Sequence, residues 1–235
     1  GVLGKPDFEP RFLNRTYIGG KWIFHAPIST SGAALSWLKK IFSEADMKDD
    51  LFYDHISKTA QRSLAGSGGL VFLPYLQGER SPWWDTDARG VFAGISLSTT
   101  RADMFRAVLE SIGFALKQNL DIAEKHMGTS LKEILVTGGG GRNRVWSQIK
   151  SDITGKVLKI QQFRETAIRG AAVLGGLCSG IYKDLEDAAK VKRKDVFTMV
   201  VPDMKRHKKY CRRAEDFRSL YLALAPEFRK LGNAV

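Results

Sequence analysis

The sequence contains little cysteine and histidine, and the spacing of these residues matches no common metal site. The two cysteines, Cys178 and Cys211, form no C-x-x-C pair, and the four histidines are scattered along the chain. Ligands of structural metal sites normally recur a few residues apart. The sequence therefore predicts neither a metal centre nor a disulfide framework, and it favours a reducing compartment. With 235 residues, the chain is long enough to bury a core without such cross-links.

Long apolar runs are missing as well. No stretch approaches the roughly 18 apolar residues that a membrane-spanning helix requires, and no signal-peptide pattern opens the chain. We therefore expect a cytoplasmic protein without a membrane partner. The chain begins at Gly1, and residues 1–12 read as a loop entered midway, so we expect the sequence to be a fragment.

Acidic residues are outnumbered by basic ones. The chain has 37 lysines and arginines against 25 acidic residues, a formal net charge of +12, and the basic residues are densest in 190–195 and 205–213. A basic surface attracts polyanions, which include both nucleotide phosphates and nucleic acids. Because these runs lack interleaved aromatic residues and any nucleic-acid-binding module, we interpret them as solvated helix faces.

Four consecutive glycines at 138–141 are the most informative feature. They follow the apolar, β-branched run 134–137 and precede a segment compatible with a helix. The pattern predicts a strand, a turn and a helix start, where bare backbone N–H groups and the positive helix end favour an anion such as a phosphorylated small molecule. A flexible connection with no ligand is the alternative. Neither a P-loop lysine nor a G-x-G-x-x-G pattern is present.

Periodicity and turn residues predict an α/β protein in which strands and helices alternate. A hairpin is expected over 16–26 around Gly19 and Gly20, and residues 29–31 supply hydroxyl groups to cap a following helix. The small residues of the helix over 168–180 predict close approach to another backbone. Further helices are expected over 50–64, 101–127, 143–154, 184–191 and from Asp203, and strands over 70–76, 91–95, 157–162 and 196–201.

Several ordered blocks carry a family resemblance. They read FLPYLQGERSPWWDTDARGVFAGIS, RADMFRAVLESIGFAL, ILVTGGGGRNRVWSQIKSDITGKVL and ETAIRGAAVLGGLCSG. From about Ile28 to the end, the chain resembles the C-terminal half of the FGGY carbohydrate kinases, and among them most of all the xylulokinases. The resemblance implies a ribonuclease-H-like, actin-like ATPase lobe with a mixed sheet flanked by helices. Residues 1–235 would be the nucleotide-binding lobe, without the N-terminal sugar-binding lobe.

The resemblance also implies an activity and its partners. The whole protein would transfer the γ-phosphoryl group of ATP, with Mg²⁺, to a hydroxyl of a ketopentose such as xylulose. This lobe would bind ATP or ADP and be inactive alone, while the sugar and most metal ligands would belong to the other lobe. The alternatives are a non-catalytic actin-like nucleotide-binding or assembly module and a basic nucleic-acid-binding domain. Oligomeric state is left open, with a homodimer among the alternatives.

Matching motifs imply a set of nucleotide contacts. Gly139 and Asn143 would touch the adenosine part of ATP, with Gly138 and Gly140 beside them in the same run. Gly32 would lie by the phosphates. Ser36 would occupy a contact position one turn later, although relatives can carry a side-chain amide there. Close packing is the alternative role for Gly32, and helix capping for Asn143.

No catalytic residue is expected in this chain, since the catalytic base would belong to the other lobe. By residue type, the acidic residues of the loop 78–90 are candidates for such a base. We assign Glu79, Asp85 and Asp87 instead to turn formation and to salt bridges between lobes, formed with Arg80 or Arg89.

Overall fold

A computed structural model of the protein describes residues 2–42, 47–141, 143–162, 166–190 and 196–232. Strands and helices alternate along these ranges, as the sequence predicts. The elements are β1 Val2–Leu3, β2 Leu13–Tyr17, β3 Lys21–His25, α1 Gly32–Ile41, α2 Asp49–Ala60, β4 Val71–Leu73, β5 Val91–Ala93, α3 Arg101–Met127, β6 Glu133–Val136, α4 Arg144–Thr154, β7 Val157–Gln161, α5 Thr166–Cys178, α6 Leu185–Lys190, β8 Phe197–Val200 and α7 Met204–Gly232.

The strands of the described ranges form three small sheets. In the first, β3 pairs antiparallel with both β1 and β2, and the predicted hairpin joins β2 to β3 through Gly19 and Gly20, which both have positive φ. The second sheet pairs β4 with β5. The third is mixed, with β6 parallel to β7 and β8 antiparallel to β7. Because β6 and β7 are parallel, α4 must cross between them, and it starts beside the carboxyl end of β6.

The central element is α3, whose predicted ends are confirmed. It begins at a capping box formed by Thr100 and Asp103 and ends at Gly128, which adopts the left-handed conformation. Residues 105–115 are buried without interruption. At Gly113 an added Cβ would lie 2.6 Å from Cδ1 of Ile153. The missing side chain therefore lets α4 pack directly against α3, and this contact fixes the position of α4.

A buried polar network ties α3 to α7. The guanidinium of Arg106 donates to Glu110 Oε1 at 2.7 Å and to the hydroxyl of Tyr210 at 2.8 Å, and that hydroxyl donates to Glu110 Oε1 at 2.6 Å. The other carboxylate oxygen accepts the hydroxyl of Ser67 at 2.9 Å. Burial raises the pKa of Tyr210 far above its usual value. The network thus holds one ion pair inside the core with its oxygens occupied.

The small-residue helix α5 contacts the short helix α6, which follows it in the chain. Within α5, Gly176 is buried, and an added Cβ there would lie 2.6 Å from the ring of Tyr182. The large apolar side chains are exposed instead, with 64% of Ile168 and 43% of Leu174 accessible. The close contact at Gly176 is therefore made to a side chain that follows α5 and not to the backbone of another helix.

The structure also shows the state of the two cysteines and the character of the helices. Both cysteines are free thiols on the exposed surface. In the ranges that the structure describes, no helix has the length and apolarity to cross a bilayer.

The network around Glu110 generates a stability prediction. Replacing Glu110 with Gln leaves the Arg106 cation buried without a counter-charge, so we expect the free energy of unfolding to fall by about 3 kcal/mol. Glu227→Gln is the control, because Glu227 pairs with Lys230 on the exposed surface of α7 and should change stability by less than about 1 kcal/mol. Urea denaturation of both variants measures the difference. Equal losses would contradict a structural role for the network.

Candidate functional site

The glycine run forms the turn between β6 and α4. Gly138 is left-handed, with φ of 79°, and Gly139–Gly141 form one 3-10 turn. The N–H of Gly141 closes this turn by donating to the carbonyl of Gly138 at 3.3 Å. The N–H groups of Gly139 and Gly140 precede that bond, so the turn itself gives them no acceptor. The predicted strand, turn and helix start are therefore confirmed.

The glycines of the run are needed for different reasons. Gly138 supplies the positive φ, which other residues adopt only with strain. At Gly141 an added Cβ would lie 3.0 Å from Ile160 and 3.1 Å from Val136, so that glycine serves packing. At Gly139 an added Cβ would meet no atom of the described residues within 4 Å. Gly139 is therefore bare toward open space, where a ligand can approach its backbone.

Asn143 caps α4 and ties it to α2. Its Oδ1 accepts the N–H of Trp146 at 2.9 Å, which is the N-cap geometry. Its Nδ2 donates to the carbonyl of Tyr53 at 3.2 Å and to the hydroxyl of Ser57. The capping role is therefore present. Because Oδ1 can accept a second hydrogen bond, a contact with adenosine stays a prediction.

A cavity of about 680 Å³ opens between the glycine turn, the start of α1 and one face of α2. Apolar side chains from α1 and α4 and polar groups from α2 face one another across it. Its lining residues are Ser31, Gly32, Leu35, Tyr53, Asp54, Ser57, Gly139, Gly140, Asn143, Arg144, Val145 and Trp146. This volume falls within the range of small-molecule sites, roughly 300–1,000 Å³.

Four of the six residues assigned to the nucleotide lie together in this cavity: Gly32, Gly139, Gly140 and Asn143. The other two are placed elsewhere. Ser36 is exposed on α1 and is not part of the lining, because the cavity reaches the side of α1 that carries Leu35. Gly138 lines a second cavity of about 800 Å³, together with Gly141 and Gln148.

The start of α1 also differs from the sequence interpretation. Ser31 occupies the N-cap position, but its side chain makes no capping hydrogen bond. The expected hydroxyl cap is therefore wrong for Ser31, and the hydroxyl oxygen of Thr30 is buried without a partner among the described residues.

The wall formed by α2 was not predicted from the sequence. Tyr53, Asp54 and Ser57 face the glycine turn, although Tyr53 lies 90 residues before Asn143 in the chain. In the sequence they resemble ordinary polar positions of an exposed helix. No local pattern distinguishes them, because their proximity to the turn arises from the tertiary fold.

The charges around the cavity are sparse. Asp54 lines it but pairs with Lys58 at 2.6 Å, and Arg144 is exposed at the start of α4. Behind the turn, Lys150 is 9% exposed, and its Nζ donates to the carbonyl of Gly140 at 2.8 Å. Its ammonium also lies 4.5 Å from the ring centre of Trp146. Burial lowers the pKa of Lys150 to about 8.

The acidic residues of the loop 78–90 have structural partners. Glu79 Oε1 accepts the N–H groups of Ser29 and Arg80, both at 2.7 Å, and burial raises the pKa of this carboxyl. Asp85 accepts the N–H groups of Asp87 and Ala88, and its other oxygen accepts the hydroxyl of Tyr221 at 2.7 Å. The turn-forming role is therefore confirmed for Glu79 and Asp85.

The salt bridges expected for this loop are not formed within the described residues. Arg80 donates to the hydroxyl of Ser29 and the carbonyl of Ile28, and Arg89 donates to the carbonyls of Thr86 and Ala88. Ion pairs to another lobe stay a prediction. The described ranges also contain no group of three or more His, Cys, Asp and Glu side chains that could hold a metal ion.

Comparison with known proteins gives a family match. The family described as FGGY family of carbohydrate kinases, C-terminal domain, matches residues 3–178. The chain is 34% identical over 203 residues to a xylulose kinase from Staphylococcus epidermidis. The aligned region covers 86% of this chain and 38% of that protein. It is 32% identical over 186 residues to a gluconokinase from Bacillus subtilis, and that alignment covers 76% of this chain and 36% of the gluconokinase. The chain thus spans less than half the length of these relatives.

Solved structures give the same result for the fold. A gluconate kinase from Lactobacillus acidophilus has a TM-score of 0.82 at 25% identity, over 98% of this chain and 46% of that one. A xylulose kinase from Rhodospirillum rubrum has a TM-score of 0.79 at 26% identity, over 97% and 45%. A glycerol kinase from Plasmodium falciparum, solved with ADP, has a TM-score of 0.68 at 27% identity, over 87% and 39%. The expected actin-like ATPase fold is confirmed.

The two roles of Asn143 can be separated by substitution. Asn143→Ala removes both the cap and the tie to α2, so we expect it to lower the free energy of unfolding by about 1–2 kcal/mol. Asn143→Ser keeps a capping oxygen but is too short to reach Tyr53, so its loss should be smaller. Urea denaturation of the two variants measures each part. A larger loss for Ser than for Ala would contradict the capping geometry.

Proposed function

The chain belongs to the FGGY family of carbohydrate kinases, and we propose that residues 1–235 are the C-terminal, nucleotide-binding lobe of an ATP-dependent sugar kinase. The observation that carries this proposal is the cavity beside the bare backbone of Gly139. A glycerol kinase with the same fold was solved with ADP, which supports an adenine nucleotide as the ligand.

The residues around the cavity fit an adenine nucleotide. Val145 and the small accessible part of Trp146 give it an apolar side, which suits a purine ring, while Leu35 is fully buried. Its volume of about 680 Å³ can accommodate a nucleotide. The turn leaves the amides of Gly139 and Gly140 without an acceptor of its own, and Gly139 faces open space among the described residues. We therefore assign the turn to the adenosine part of the nucleotide and to the phosphate next to it.

The start of α1 provides the opposite contact. Gly32 is the first residue of this helix and lines the cavity, so a ligand can approach the free N–H groups of the first turn. An added Cβ at Gly32 would meet no atom within 4 Å in the part of the chain that the structure describes. The N-terminus of a helix favours negative charge, and we assign this side of the cavity to the phosphates.

The chemistry of the whole protein would be phosphoryl transfer to a sugar hydroxyl. Such transfer depends on positioning the two substrates and neutralising charge, with a base that orients the hydroxyl. We assign to this chain the binding and orientation of the nucleotide and no catalytic base. We expect most of the Mg²⁺ ligands to lie in the other lobe, because Mg²⁺ in such sites is held by one or two carboxylates together with the phosphates and water. The similarity to a xylulose kinase at 34% identity supports a ketopentose such as xylulose as the acceptor.

A second lobe would complete the active site. The relatives are more than twice the length of this chain, and α5 exposes Ile168 and Leu174 on its surface. Apolar side chains on one exposed helix suit a contact with another domain. We refer to this chain together with the proposed sugar-binding lobe as the full-length protein.

Gly139→Val tests the nucleotide cavity. The valine side chain should extend into open space, so we expect ADP to bind at least about tenfold more weakly while the free energy of unfolding changes by less than about 1 kcal/mol. Titration calorimetry of the full-length protein with ADP measures the affinity. Gly141→Ala is the control in the same turn, because its Cβ would press on Ile160 and Val136 and should lower stability. Unchanged ADP affinity in Gly139→Val would contradict the proposed site.

The lobe assignment predicts a difference in activity. The full-length protein should release ADP from ATP only when a sugar acceptor is present, while the isolated 235-residue chain should show no sugar-dependent release. A coupled assay with xylulose, gluconate and glycerol measures both. Sugar-dependent turnover by the isolated chain would refute the division of roles. Nucleotide binding by the full-length protein without any sugar-dependent turnover would favour a non-catalytic module.

A further inference from the structure

Lys150 lies directly behind the wall of the nucleotide cavity. Its side chain runs back along α4 toward the glycine turn, as helical side chains do, and Nζ donates to the carbonyl of Gly140 at 2.8 Å. A Cβ added at Gly140 would be 3.9 Å from this nitrogen. Because Gly140 itself lines the cavity, a single peptide separates the ammonium from the cavity.

The ammonium has no carboxylate partner among the described residues. Its contacts there are the carbonyl of Gly140 and the face of Trp146, at 4.5 Å from the ring centre. By contrast, the partly buried Lys156 pairs with Glu124 at 2.5 Å. A buried charge without a counter-ion is unfavourable. Burial alone lowers the pKa of Lys150 to about 8, and no neighbouring charge compensates it.

The charged groups on α4 and on the elements packed against it are exposed or engaged with other partners. On α4, Arg144 is exposed and Asp152 pairs with Arg206 of α7, whose His207 bonds the carbonyl of Asp152. On α3, Arg106 pairs with Glu110, Lys117 with Asp121, and Glu124 with Lys156. On α2, Asp54 pairs with Lys58, and on the sheet Lys159 pairs with Glu133. Lys150 is therefore the buried cation near the cavity whose counter-charge the described chain does not supply.

We propose that the counter-ion of Lys150 is the phosphate group of the bound nucleotide, so that this lysine is a positioning residue that couples nucleotide binding to a proton. The inference rests on the proposed function, because it requires an anionic ligand in the cavity. Lys150 acts through the Gly140 peptide. Its ammonium binds the Gly140 carbonyl on the side away from the cavity, and its positive charge lies behind the amides that face the ligand. The chemical class it favours is a phosphorylated nucleoside over the uncharged nucleoside.

The direction of the pH effect follows from this arrangement. The nearby phosphate stabilises the ammonium, so binding raises the pKa of Lys150 above its value of about 8 in the free protein. Below that pH the lysine is charged before and after binding, and the affinity is constant. Above it, binding takes up one proton, so the affinity falls by up to about tenfold per unit of pH. The ionisation of phosphate, with a pKa near 6, is complete before this range.

The experiment is calorimetric titration of the full-length protein with ADP and with adenosine, from pH 7 to pH 9.5. For the unaltered protein we expect ADP affinity to decline above pH 8 and adenosine affinity to stay flat. Titrations at pH 8.5 in buffers of different ionisation enthalpy should show proton uptake with ADP alone. These measurements require no variant, so they hold even if a substitution at this site prevents folding.

Lys150→Met separates this role from simple packing. The substitution replaces the charge with an apolar chain of similar length, so the variant should unfold at an equal or higher urea concentration. It should also bind ADP about tenfold more weakly at pH 7, and its ADP affinity should no longer decline above pH 8. Lys156→Met is the matched control. It removes a partly buried lysine that has a carboxylate partner, so it should lower stability and keep the pH profile of ADP binding.

The outcomes are distinguishable. If the unaltered protein binds ADP with an affinity that does not change from pH 7 to 9.5, or if Lys150→Met retains the decline, the inference on Lys150 is wrong and the nucleotide site stands. If adenosine shows the same decline as ADP, the proton is not coupled to phosphate, and the inference is also wrong. If neither ligand binds at any pH, the proposed function fails and the inference fails with it.

Discussion

The hydrogen bonds of Asn143 set the spacing of the two walls of the cavity. One side chain caps α4 through the N–H of Trp146 and holds α2 through the carbonyl of Tyr53. The glycine turn ends at Gly141, two residues before Asn143, so these contacts hold α4 and α2 next to it. Since a partly buried amide that loses one partner leaves a polar group unpaired, the three contacts support one another. The space between α2 and the turn is thereby a fixed cleft rather than a gap between independent helices.

Behind this cleft, α3 provides the rigid support. Its buried middle receives α4 at Gly113 and α7 through the network of Arg106, Glu110 and Tyr210. A helix that is buried along 105–115 is held by contacts on every face. The parallel pairing of β6 with β7 then leaves one path for the chain, through the glycine turn and along α4. Core packing thus determines where the bare backbone of the turn is presented.

Local features of the site could be predicted from the sequence, and features that depend on distant contacts could not. The run from β6 to α4 was predicted because strand, turn and capping signals are adjacent in the chain. The α2 wall was missed because Tyr53 reaches the turn only through the tertiary fold. Ser36 lies outside the cavity lining, because the cavity meets α1 at Ser31, Gly32 and Leu35, so its contact with the nucleotide stays a prediction. The small residues of α5 indicated that close approach is allowed, but they could not identify α6 as the neighbouring helix.

On the proposed function, the distribution of charge would let this lobe bind a nucleotide reversibly. The polar lining combines the backbone of Gly139 and Gly140 and the start of α1 with polar side chains of α2 and α4, and on our proposal the buried Lys150 acts from behind the Gly140 peptide. Donors of this kind orient a phosphate but neutralise only part of its charge. On the proposed function, the remaining neutralisation would come from Mg²⁺ and from the other lobe, which are engaged when the two lobes close. Weak binding in the open state and tight binding in the closed state would then follow from the same residues, and ADP could leave as the lobes separate.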